Sequence, residues 1–293
     1  MGRAQAGKPG HERPVNTAQP RKGTQMRTHF LSDMTFEEAK EAFAKTDTAF
    51  VPMGAVEAHG PHGLIGTDHF AADEVAQRSA AKCNAIAVPG VPFGYCDSTM
   101  DFPGTLSMSP ATCSAVLEDV ARSLHVWGIR RIVWITGHGP NGPIMKQVSL
   151  KLRRELGMLF AIPLWYRLAI ALLPDYELGP DHGGFTETSV AMAARPGNAN
   201  LARAAGGCVI TDIGHGFDST GKYDIGFEET GVEIPMLMRE RWPLGYWDNS
   251  KPAAEASEEA GEKILEVVTD YLGRFATQFQ SLPLDLGVER EPA

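Results

Sequence analysis

A chain of 293 residues, 43% of them hydrophobic, is long enough to bury a large core, either in one sizeable domain or in two small ones. Its 36 acidic and 27 basic side chains give a formal charge of -9, which disfavours nucleic acid and anionic membrane as partners and leaves a small molecule as the expected one. Cys83, Cys96, Cys113 and Cys208 are widely spaced with no C-x-x-C pair, so neither a thiolate zinc site nor a disulfide framework is expected, and a reducing cytoplasm is the simple location.

In chain order, the first 27 residues carry six Lys or Arg against the single acid Glu12, are rich in Gly, Pro, Gln and Thr, and show no apolar periodicity or secretory pattern. We expect residues 1–30 to form a disordered arm, 31–280 one folded domain and 281–293 a tail. Phe36 to Lys45 reads as a short amphipathic helix and Ala49 to Met53 as a buried strand. Thr67 or Asp68 can cap the next helix, which runs to about Lys82. Ala85 to Val88 reads as a strand. Ser109 and Pro110 form an N-cap and N1 pair for a helix ending near Gly128, followed by a β-branched strand at Arg131 to Ile135. A helix from about Pro143 to Leu156, a strand at Leu159 to Leu164, a helix starting near Glu187 and a long helix over Ala253 to Phe275 complete the pattern. The apolar stretch Met158 to Pro174 is interrupted by Pro163 and Arg167 and is too short for a membrane span, so it reads as buried core. The alternation predicts an α/β fold, a three-layer α/β/α sandwich with a mostly parallel central sheet and chemistry at the carboxyl ends of its strands.

Three strand-end loops supply that chemistry. After the strand at Ala49 to Met53 comes Gly54-Ala55-Val56-Glu57-Ala58-His59-Gly60-Pro61-His62. In extended chain, Glu57 and His59, two residues apart, point to one side. Asp68 follows in Gly66-Thr67-Asp68-His69, where helix capping is its competing role. After the next long strand, Gly137-His138-Gly139-Pro140-Asn141 sets one histidine among residues that let the backbone approach a ligand. Asp181-His182-Gly183-Gly184-Phe185-Thr186-Glu187-Thr188-Ser189 is the third loop, where Glu187 also suits a helix start. Carboxylates and imidazoles without cysteine suit Zn, Mn or Fe(II), and a shared aspartate permits two ions close together.

The ordered set resembles the creatininase family. Glu57-Ala58-His59-Gly60-Pro61-His62 with Gly66-Thr67-Asp68 resembles its E-x-H-G-P-H...T-D signature, Phe102-Pro103-Gly104-Thr105 matches a further segment, and Gly137-His138-Gly139-Pro140-Asn141 resembles its G-H-G-G-N. His182-Gly183-Gly184 with Glu187-Thr188-Ser189 resembles its H-A-G-x-x-E-T-S. The resemblance implies that Glu57, His59, Asp68 and His138 bind one or two divalent ions, with Asp68 as the bridge. In creatininase itself a second-site carboxylate follows the G-H histidine by two positions. Pro140 stands there in this chain, and Glu187 is the candidate replacement. By resemblance His182 assists proton transfer, with Glu187 as a second catalytic candidate. Gly183 and Thr99 also depart from the family pattern, which leaves the substrate open.

His62, Thr99, Asn141 and Trp165 are our candidate substrate contacts. Tyr166, Trp242, Tyr246 and Trp247 are further aromatic candidates for a pocket wall, with core or subunit packing as their competing role. The expected activity is metal-assisted hydrolysis, in which a bound ion lowers the pKa of water toward ~7 for attack on a small cyclic or formyl amide. Opening of a cyclic ketone or lactone by the same chemistry is the alternative, and a catalytically silent metal-binding scaffold is the rival from another class. A nucleotide site at Gly137-His138-Gly139 is disfavoured, because no further glycine pattern or basic residue follows. The resemblance also implies a homo-oligomer, with a hexamer as one form.

Overall fold

A computed structural model describes residues 26–204, 206, 209–210, 212–215, 217–218, 224–227, 230–249 and 251–286. Residues 1–25 of the arm expected over 1–30, residues 287–293 of the tail expected over 281–293, and Cys208 lie outside the described residues. Residues 27–30 run beside the sheet, with the Ala87 amide donating to the His29 carbonyl at 2.8 Å. Helix α1 (Phe36–Phe43) starts at a capping box formed by Thr35 and Glu38. Strand β1 (Thr48–Met53) is buried along its whole length. Helix α2 (Thr67–Ala81), strand β2 (Ile86–Ala87) and helix α3 (Pro110–Val126) follow, α3 beginning where the Ser109 side chain accepts from the Thr112 amide. Strand β3 (Arg131–Thr136), helix α4 (Asn141–Leu156) and strand β4 (Leu159–Ala161) complete the alternating half of the chain.

The structure departs from two expectations. Helix α2 is preceded by Gly66 with no side-chain cap, so Asp68 lies inside the first turn and its carboxylate is available for another task. The strand expected over Leu159 to Leu164 stops at Ala161. Pro163 has no N–H to donate, pairing resumes only as a single bridge between Thr136 and Leu164, and helix α5 (Trp165–Leu172) follows at once. No helix among the described residues is long and apolar enough to cross a membrane.

Helix α6 (Phe185–Ala194) leads into two antiparallel ribbons absent from the sequence reading, β5 (Asp212–Gly214) with β6 (Phe217–Asp218) and β7 (Asp224–Phe227) with β8 (Thr230–Glu233). Short helix α7 (Met238–Arg241) and long helix α8 (Glu258–Gln280) close the chain. The main sheet is all parallel in the order β2-β1-β3-β4. Side chains alternate across it. Phe50, Val133 and Ile135 join the core under α2, α6 and α8, while Ala49, Val51, Met53, Ile132 and Trp134 join the core under α3 and α4. This is the expected three-layer α/β/α sandwich. The chain leaves β1 toward β2 and returns across the sheet to β3, so the strand order reverses between β1 and β3, where an open parallel sheet forms its ligand crevice.

Candidate metal centre

Glycines at the ends of β1 and β3 let the sheet press against the start of α2. A Cβ on Gly54 would overlap the backbone of His69, and one on Gly137 would overlap the Asp68 main chain. Asp68 therefore projects between the two strand ends. His59 Nε2 lies 3.1 Å from Asp68 Oδ1 and 3.3 Å from Glu187 Oε2. On the other side, His138 Nδ1 lies 2.8 Å from Glu57 Oε2 and 3.1 Å from Asp68 Oδ2. The two oxygens of Asp68 thus face two separate carboxylate and imidazole groups, all buried.

Main-chain carbonyls fix the rings. His59 Nδ1 bonds the Glu57 carbonyl at 3.0 Å, and His138 Nε2 bonds the Tyr95 carbonyl at 2.8 Å. Each ring is thereby turned to present its other nitrogen to the carboxylates, as metal-binding histidines commonly are. Glu57 Oε2 and Asp68 Oδ2 are buried and accept no aligned hydrogen bond, although His138 Nδ1 is close to both. Such convergence of donor atoms fits a divalent cation. The donor atoms of His59, Asp68 and Glu187 lie close enough together to hold one ion, and Glu57 and Asp68, both beside His138 Nδ1, could hold a second with it.

The electrostatics agree. Burial disfavours the charged imidazoles of His59 and His138, yet Asp68 with Glu187 and Glu57 with Asp68, respectively, more than offset it and hold both well above the ordinary histidine value. Burial likewise opposes ionisation of Glu57 and Asp68, but the surrounding histidines outweigh it and hold both carboxylates low. Protons on the imidazoles thus balance the carboxylates in the metal-free protein, and a divalent ion would replace them.

His182 stacks on His59 with ring centroids 4.3 Å apart, and its Nε2 bonds the Ala58 carbonyl at 2.9 Å. Trp247 stacks on the other face of this column at 5.1 Å, and Trp242 on Trp247 at 4.3 Å. Reciprocal main-chain hydrogen bonds join His182 and Trp247 at 3.2 and 3.0 Å. Asp68, His138, His182 and Glu187 line a cavity of about 1220 Å3 whose walls include Tyr166, Arg167, Arg241, Trp242 and Trp247.

The candidate substrate contacts lie elsewhere. Thr99 does not line the cavity and donates to Glu57 Oε1 at 2.8 Å, which orients that carboxylate. Asn141 ties the loops together, donating to the Gly54 carbonyl at 2.9 Å and accepting from the Tyr95 amide at 3.2 Å. His62 is buried behind the site against the Gly183 carbonyl at 2.7 Å, and Trp165 is buried in the core, with its neighbour Tyr166 facing the cavity instead. Sequence reasoning missed the carbonyl of Tyr95, the thiol of Cys96 near His138, and Asp181. Burial and the charge of Glu187 push the Asp181 carboxyl well above the usual range. A backbone carbonyl leaves no mark in a sequence, whereas Asp181 beside His182 was a visible signal.

The family model described as creatinine amidohydrolase matches residues 32–276. The chain belongs to the creatininase family. It is 31% identical over 258 residues to the creatinine amidohydrolase of Pseudomonas putida, covering 81% of this chain and 92% of that one. It is also 30% identical over 173 residues to the mycofactocin precursor peptide peptidase of Mycolicibacterium smegmatis, covering 57% and 66%. A crystal structure of creatininase superposes with a TM-score of 0.70 at 26% identity, over 88% of this chain and all of that one. Solved creatininases include a manganese form and a Zn–Zn form of a mutant. This family member is a metal-dependent hydrolase of amide bonds.

Proposed function

We propose that the chain hydrolyses the C–N bond of a small cyclic or formyl amide at the site shared by Glu57, His59, Asp68, His138 and Glu187. The observation that carries this reading is the placement of both Asp68 oxygens between two imidazole and carboxylate groups at the floor of one cavity. These residues would hold divalent ions, whose chemistry would be to lower the pKa of water and to polarise the substrate carbonyl. Glu57, Asp68 and His138 would hold one ion, and His59, Asp68 and Glu187 the other, with Glu187 serving in place of the carboxylate that Pro140 cannot supply. His182 lines the cavity beside them and is fixed by the Ala58 carbonyl and the Trp247 ring, so its imidazole can pass a proton to the leaving nitrogen.

A second reading keeps the same chemistry on a longer, peptide-like amide. It is favoured by a cavity of about 1220 Å3, larger than one small ring needs, and by the similarity to a peptidase. Ring opening of a ketone or lactone is set aside, since the named relatives act on amide or peptide bonds. We also infer a homo-oligomer, because Phe36, Val126 and Trp127 are more than 60% exposed. Light scattering showing a strict monomer would remove that inference.

The test is a screen of formamides, cyclic amides and short peptides with metal-loaded protein, following amine release. Turnover of one class that His182→Ala reduces by roughly 100-fold or more is expected. Hydrolysis of lactones alone would contradict the amide assignment.

A further inference from the structure

We propose that Cys96 is a fourth protein donor at the Glu57 and His138 position, making it a mixed oxygen, nitrogen and sulfur site that prefers zinc to manganese. This rests on the metal reading above and concerns a residue that the family signature does not include.

Cys96 is held between two residues that serve the site. Tyr95 accepts from His138 Nε2 through its carbonyl, and Thr99 donates to Glu57 Oε1. Cys96 itself is fixed at both ends of its peptide. Its amide donates to Ser107 Oγ at 2.9 Å, and its carbonyl accepts from the Thr99 amide at 3.0 Å. Cys96 as a whole is 1% exposed. Its sulfur, a Glu57 oxygen and a His138 nitrogen all lie within 4.8 Å of one another. A second observation points to a cation there. Glu57 Oε2 is buried and accepts no aligned hydrogen bond, although it sits 2.8 Å from His138 Nδ1.

The direction of approach is compatible with catalysis. Asp68 and His138 line the cavity, whereas Glu57 and Cys96 do not. The sulfur therefore reaches the position from the protein side and leaves the cavity side open for water, as a catalytic site requires. On binding, the S–H bond breaks, the sulfur lone pair forms the bond to the ion, and the proton leaves to solvent. A soft thiolate among harder oxygen and nitrogen donors favours Zn2+ over Mn2+. The other described cysteines have different surroundings. The Cys83 thiol donates to the Ser79 carbonyl at 3.3 Å, and Cys113, on α3, turns its thiol to the Met108 carbonyl 4.0 Å away and joins none of the donor groups.

The experiment is zinc-edge X-ray absorption on the reduced, zinc-loaded full chain. Wild type, Cys83→Ser, Cys113→Ser and Cys208→Ser should each show a sulfur scatterer at ~2.3 Å from zinc. Cys96→Ser should lose that scatterer, still bind zinc through Glu57, Asp68 and His138, and lose roughly tenfold or more of its preference for zinc over manganese. Circular dichroism matching wild type excludes a folding defect in that variant. Zinc bound by nitrogen and oxygen alone in wild type, or a sulfur signal that survives in Cys96→Ser, overturns the inference and leaves the hydrolase reading standing. Wild type that takes up neither zinc nor manganese overturns both.

Discussion

Asp68 reaches both histidines with a single carboxylate, at 3.1 Å on each side. Thr99 shows how the surrounding residues support it. Its hydroxyl fixes Glu57 rather than a substrate, so Thr99→Val should lower metal affinity by roughly 10- to 100-fold with the fold intact, as loss of a ligand-orienting hydrogen bond typically does. Calorimetric titration of the metal-free protein reads this directly, and an unchanged affinity with a raised KM would restore Thr99 as a substrate contact. The pH behaviour follows from the same contacts. His59 and His138 are held above their unfolded value of ~6.5, so their stabilising contribution is complete below that value and is lost as pH rises through the folded one. Glu57 and Asp68 are held low, and their contribution is lost as pH falls. Chelated protein should therefore lose thermal stability above neutral pH, while metal-loaded protein should not. Melting curves with and without chelator across this range would show it, and parallel curves would contradict it.

At the scale of elements, the site depends on how closely the sheet ends approach α2. Gly137→Ala would push a methyl group into the Asp68 backbone, separating His138 from Asp68. A destabilisation of about 1–3 kcal/mol, typical of overpacking, is expected together with loss of bound metal. Denaturant unfolding with metal analysis tests both, and wild-type values for each would show that the approach has slack. Buried runs such as Ala49 to Met53 and the Ser109-Pro110 helix start were legible because burial and capping are local. Helix α5 was hidden, because its apolar residues continue those of β4 and only Pro163 marks the break. Ribbons β5 to β8 are two to four residues each, too short for a period to register. Among site residues, those within motifs were legible as donors. The roles of Thr99 and Asn141 were not, since their partners, Glu57 and Gly54, are 42 and 87 residues away.

For the whole molecule, the reversal of strand order between β1 and β3 brings three sequence-distant loops to one crevice. A stacked wall of His182, Trp247 and Trp242 joins that crevice to the segment after the ribbons. The fold and the cavity together support amide hydrolysis only if the centre takes up metal. Elemental analysis of purified wild type, His59→Ala and Asp68→Ala is therefore the most direct test. The account predicts about one to two divalent ions per wild-type chain, with loss in both variants. A wild-type chain that is metal-free and takes up neither zinc nor manganese on addition, or variants that keep the full complement, would contradict it.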